Sequence, residues 1–124
     1  MDKPNIYQLG KIYKIICNAT GLCYIGSTTQ RLLCQRLSQH IGDYKKWKRG
    51  KHHFITSYKV IENEDYEIVL LEEYPCEIKD QLRSCERYWI EHTECVNKII
   101  PTRTYKEYYE DNKEIIAIKK KRTP

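Results

Sequence analysis

A chain of 124 residues, 40% hydrophobic and 31% charged, suits one domain with a modest core and is too apolar for bulk disorder. No stretch approaches the roughly 18 apolar residues of a membrane span, and the opening Met-Asp-Lys-Pro-Asn lacks the apolar segment of a secretory signal. An intracellular protein (cytoplasm or nucleus of a host), neither secreted nor membrane-bound, is therefore expected, and its net charge of +5 alone names no polyanionic partner.

Lys11 to Cys17 is rich in Ile and Tyr and reads as a strand, Asn18-Ala19-Thr20-Gly21 as a turn, and Leu22 to Ser27 as the returning strand. The hydroxyls of Ser27, Thr28 and Thr29 offer N-caps for a helix from about residue 30. Leu33, Leu37, Ile41 and Tyr44 give that helix its apolar stripe, and Gly42 and Gly50 mark where it weakens and stops. His53 to Ile61 suggests a short second helix, and Tyr66 to Tyr74 a third strand ended by Pro75.

Glu77 to about His92 reads as a helix with Ile78, Leu82, Cys85, Trp89 and Ile90 inward, followed by an extended segment from Cys95 to Ile100. Pro101 marks a boundary, and Thr104-x-x-Glu107 has the form of a capping box opening a last helix that runs to Lys119-Lys120-Lys121-Arg122. The fold expected is α+β: a small three-stranded antiparallel sheet flanked by helices, with a C-terminal helical tail. Residues 1–100 would be the domain and residues 101–124 the tail, which could begin a longer DNA-binding extension or targeting domain.

Six cysteines could form a disulfide framework, but no secretory segment accompanies them. No Cys-x-x-Cys pair occurs, and no His stands at zinc-site spacing, so buried reduced thiols are expected. Lys45, Lys46, Lys48, Arg49 and Lys51 crowd beside Trp47, His52 and His53; such a patch suits a phosphate backbone as well as a solvated helix end.

Parity locates a candidate pocket. With a four-residue turn, paired residues in the hairpin place Tyr13 opposite Gly26 and Tyr24 opposite Ile15. The two phenols then share one face beside the gap that Gly26 leaves; a five-residue turn would separate them. Arg36 and His40 lie one helical turn apart and flank the apolar stripe, where they could grip a phosphate or simply be solvated. Glu86 falls on or near a buried stripe, and a carboxylate there requires Arg83, Arg87 or a divalent cation as partner.

Lys11-Ile12-Tyr13, ten residues, then Tyr24-Ile25-Gly26, followed in order by Arg36, Glu86 and Asn97, resembles the pattern of the GIY-YIG nuclease family over roughly residues 10–100. The departure is Lys11 where the family name has glycine; Gly10 lies one place early. Tyr108 to Lys113 also resembles segments that trail the nuclease module in some members from large DNA viruses.

The resemblance implies a DNA endonuclease that uses one divalent cation, Mg2+ or Mn2+, held by Glu86, and leaves 5′-phosphate and 3′-hydroxyl ends. Tyr13 would be the general base and Arg36 the transition-state stabiliser, with Tyr24 and His40 positioning phosphate or water. Gly26 would provide room, Asn97 would brace the site, and Lys45, Lys46, Lys48 and Arg49 would contact DNA. A monomer or transient dimer is expected, in a homing, restriction or repair role. The alternative is a catalytically inactive module of the same fold that binds DNA or protein.

Overall fold

The computed structural model describes residues 4–97 and 100–122, with side chains through residue 117. Strand β1 (Lys11–Cys17) is the centre of a three-stranded antiparallel sheet in the order β2-β1-β3, with β2 at Cys23–Thr28 and β3 at Tyr66–Glu73. The hairpin register is the one that parity requires: Tyr13 faces Gly26 and Ile15 faces Tyr24. The turn closes through the Cys17 amide onto the Leu22 carbonyl at 2.8 Å, and Gly21 takes a φ of 76° that a side chain would disfavour. On its other edge β1 pairs with β3, with a register shift between Ile12 and Tyr13.

Helices cover both faces, so β1 is apolar on both sides. Ile12, beside Ile25 of β2, packs under helix α3 (Lys79–Glu91) with Leu82 and Ile90. Tyr13, Ile15 and Cys17 point the other way, into a cluster with Val60 of the short helix α2 (Tyr58–Ile61) and with Leu33 and Leu37 of α1 (Leu33–Lys48). Ile12, Ile15, Ile25 and Val60 are wholly buried, and each contributes about 1.5–3 kcal/mol. Helix α4 (Tyr105–Arg122) follows, and no helix among the described residues is long and apolar enough to cross a membrane.

Several local expectations change. Helix α1 begins at Leu33 rather than near residue 30, and no hydroxyl caps it; the Gln35 Oε1 accepts the Leu32 amide at 3.1 Å. Thr28 instead ties back the Gln30 amide at 3.1 Å. Gly42 lies inside an unbroken helix, and the second helix is only four residues long. Gln81 plays at α3 the part Gln35 plays at α1, accepting from the Glu77 and Ile78 amides, so the helix starts at Lys79 and Ile78 stays 54% exposed rather than facing inward. The Thr104–Glu107 box forms as expected, with the Glu107 amide donating to Thr104 Oγ1 at 3.2 Å. All six cysteines are free, but only Cys17, Cys23 and Cys76 are buried; Cys85 and Cys95 are half-buried and Cys34 is exposed. The side chains of Lys119 to Arg122 lie outside those described.

Candidate functional site

Because β2 is an edge strand, side chains from both faces of the sheet can meet beyond it. Tyr13 and Tyr24 come from the strands on one face, and Arg36 and His40 reach them from α1. The Tyr13 hydroxyl lies 2.8 Å from His40 Nε2 and accepts a hydrogen bond from Arg36 Nε at 3.2 Å. His40 Nδ1 is 3.0 Å from Ser57 Oγ, and the Tyr24 ring meets the imidazole edge-on at 5.6 Å between centroids. Gly26 makes the arrangement possible: a Cβ there would fall 2.5 Å from Tyr13 Cζ. From the other face, Glu86 of α3 comes to the wall of a cavity that Ser27 also lines.

Burial sets the charge states. It lifts the phenols of Tyr13 and Tyr24 above their ordinary value, with Arg36 opposing in both cases, so both are protonated at neutral pH. It pushes His40 down to about 4, and the neighbouring Arg36 adds to the effect. A neutral imidazole has one donor and one acceptor. Since Arg36 already donates to the Tyr13 oxygen, the pairing that satisfies every group has the phenol donating to Nε2 and Nδ1–H donating to Ser57. Glu86 is also raised by burial, with the neighbouring Ser27 and the charge of Arg83 opposing that shift.

Two cavities flank Glu86. The larger, about 450 Å3, is lined by Arg36, Lys79, Arg83 and Glu86 and by the hydroxyl-bearing run from Ser27 to Thr29. The smaller, about 250 Å3, shares Arg83 and Glu86 and reaches Tyr24 and Asn97. No group of three or more His, Cys, Asp or Glu that could hold a metal occurs among the described residues. One carboxylate with hydroxyl oxygens nearby is a hard donor set, which fits a mostly hydrated Mg2+ or Mn2+ and not a closed zinc site.

The structure thus brings together Tyr13, Tyr24, Gly26, Arg36, His40, Glu86 and Asn97, and it leaves the basic patch out. Lys45, Lys46, Lys48 and Arg49 are exposed at the far end of α1 and line neither cavity, with Lys48 over the rings of Tyr44 and Trp47. His40 is not at the margin of the apolar stripe but is the one buried residue of α1, 4% exposed. Asn97 does more than its loose motif match suggests. Its Oδ1 accepts the Ile25 amide at 2.9 Å and its Nδ2 donates to the Ile25 carbonyl at 2.7 Å, which closes the free edge of β2. Ser57, Ser27 and Lys79 carry no motif signal. Arg83 is legible only as a possible partner for Glu86, and here it lines both cavities with Glu86 and forms no ion pair with it among the described residues.

The sequence model of the GIY-YIG catalytic domain matches residues 9–99. Among solved structures, the catalytic domain of the intron endonuclease I-TevI, in mutant form, superimposes with a TM-score of 0.56. It is 22% identical, and the match covers 77% of this chain and 98% of that one. No curated protein sequence matches significantly.

Proposed function

Since this chain belongs to the GIY-YIG catalytic-domain family, we propose that it is a divalent-metal-dependent DNA endonuclease leaving 5′-phosphate and 3′-hydroxyl ends. The observation that carries the reading is the placement of Arg36 and Glu86 on the wall of one cavity, with two phenols and a neutral imidazole behind it. Residues 1–100 act as the nuclease domain and residues 101–124 as a helical tail, tied to α3 by Arg87 through Glu107.

The scissile phosphate enters the larger cavity between Arg36 and Arg83, whose guanidinium groups match its oxygens and the charge that develops in the pentavalent transition state. Glu86, with the hydroxyl of Ser27 beside it, would hold one Mg2+ or Mn2+. The cation, when bound, neutralises phosphate charge and stabilises the leaving 3′ oxygen.

Tyr13 is wholly shielded as long as Arg36 covers its oxygen. Drawing the guanidinium onto a phosphate frees an acceptor site on the phenol for the attacking water. Tyr13 takes that water's proton as it passes its own to His40 Nε2, 2.8 Å away, and Ser57 holds the tautomer that accepts it. Tyr24 is the phenol that opens on the second cavity beside Glu86, where it hydrogen-bonds the substrate. One such site makes one nick, so a monomer or transient dimer is the working form.

The experiment is to compare strand scission and affinity for one labelled duplex in wild type and Glu86→Gln. Loss of scission with affinity retained supports the nuclease. Binding without scission by wild type makes the chain a binding module of the same fold, and scission undiminished in Glu86→Gln contradicts the role given to Glu86.

A further inference from the structure

The two cavities beside Glu86 differ in chemistry. The larger presents the cations Arg36, Lys79 and Arg83, whereas the smaller is walled by Phe54, Ile55 and Pro101 and by the rings of Tyr24 and His53. They share Arg83 and Glu86, so a strand whose phosphate sits in the first brings its neighbouring sugar and base to the mouth of the second. At about 250 Å3, the second cavity has room for a single heterocycle, not for a run of nucleotides.

Phe54 supplies the platform. It packs in T-shaped contacts against Trp47, 5.3 Å between centroids, and Tyr58, 5.7 Å, and is nonetheless 47% exposed. An aromatic ring anchored on a buried tyrosine and open to solvent is suited to stacking, which tolerates any base because every base has a π face. The exposed cations Lys45, Lys46, Lys48 and Arg49 immediately precede this loop in the chain and supply attraction for the phosphates around it.

We infer that the smaller cavity is a nucleobase subsite: one base next to the scissile phosphate leaves its stack and lies against Phe54. The inference rests on the reading of the Glu86 cavity as a phosphodiester site and deepens it by naming the substrate class. A base can enter only if it is unstacked, which costs least where it is mismatched, damaged or single-stranded. The favoured substrate is therefore DNA with an unpaired nucleotide beside the cut.

The test measures binding of the full chain, in EDTA and at low salt, to two labelled single strands of equal length and charge: oligothymidylate and its fully abasic analogue. Wild type should prefer the thymidylate by roughly 5- to 100-fold. Phe54→Ala should bring the ratio near one, and Phe54→Trp should keep it. Phe54→Leu, which retains the packing against Trp47 but has no π face, should match Phe54→Ala, so a folding failure in either one is recognisable. Equal binding of the two strands by wild type, or an undiminished ratio in Phe54→Leu, overturns the subsite. Since no cleavage is involved, absent scission in a separate Mg2+ assay would overturn the nuclease reading and leave this ratio to stand or fall independently.

Discussion

Gly26 stands opposite Tyr13 across the β1–β2 ladder, so close that a methyl group on it would occupy the space of the phenol. The glycine is thus required by a neighbour's ring and not by its own backbone angles. Gly26→Ala should lower stability by about 1–3 kcal/mol, the usual cost of overpacking a core. It should also disturb the Tyr13–His40 bond, and so reduce cleavage beyond what the melting shift explains. Thermal melts beside cleavage rates would check this.

His40 should make stability depend on pH. Its folded value of about 4 lies below the ordinary 6.5, so between those values the unfolded chain binds more protons than the folded one. The contribution is intact above about pH 6.5, declines as pH falls and is fully lost below about 4. At pH 5 the loss is about 2 kcal/mol relative to pH 7. Denaturant titrations of wild type and His40→Gln at both pH values should show it, with the variant losing less. Equal losses would mean that His40 titrates normally.

Ser57 is wholly buried and meets the imidazole nitrogen that does not face Tyr13. Ser57→Ala leaves that donor unpartnered, at a cost of about 1–3 kcal/mol. Freed of its constraint, the imidazole can turn its N–H toward Tyr13 and lose the ability to accept from it. Cleavage should therefore fall more than folding does, and Ser57→Thr should restore part of it. A rate unchanged in Ser57→Ala would remove the serine from the relay.

Much of the fold could be read from local pattern. Lys11–Cys17 is a strand because of its own β-branched and aromatic residues, and the register follows from a turn length. The helix starts were less legible, because amides of Gln35 and Gln81 do at 3.1–3.3 Å what Ser and Thr more often do. The pair Tyr13 and Gly26 was visible from parity alone. The burial of His40 was not, since the groups that surround it come from three separate segments and only their packing excludes water. Ser57 and Phe54 lie in a stretch with little periodicity, so nothing local distinguishes them. The basic run beside Trp47 was conspicuous in sequence yet lines neither cavity.

The two phenols should separate by role. Tyr13→Phe removes the group that links water to His40 and should lower the cleavage rate by about 10²–10⁴-fold, the range of proton-transfer catalysis. Tyr24→Phe keeps the relay and should weaken substrate positioning, with a smaller loss. Single-turnover rates for both variants decide it, and a near-normal Tyr13→Phe would move the proton acceptor elsewhere.

Asn97 closes the edge of β2 with two hydrogen bonds to Ile25. Asn97→Ala should cost about 1–2 kcal/mol and speed amide exchange at Ile25, while the β1–β3 ladder on the other side of the sheet keeps its protection. Hydrogen exchange followed residue by residue would show whether the loss stays local.

The central claim is that Glu86 and its cavity cut DNA. Supercoiled plasmid should be incubated with wild type and Glu86→Ala, in Mg2+, in Mn2+ and in EDTA. The account predicts nicked plasmid from wild type with either cation, none in EDTA and none from the variant. Cleavage by Glu86→Ala at the wild-type rate, or no cleavage by wild type with either cation, would contradict it.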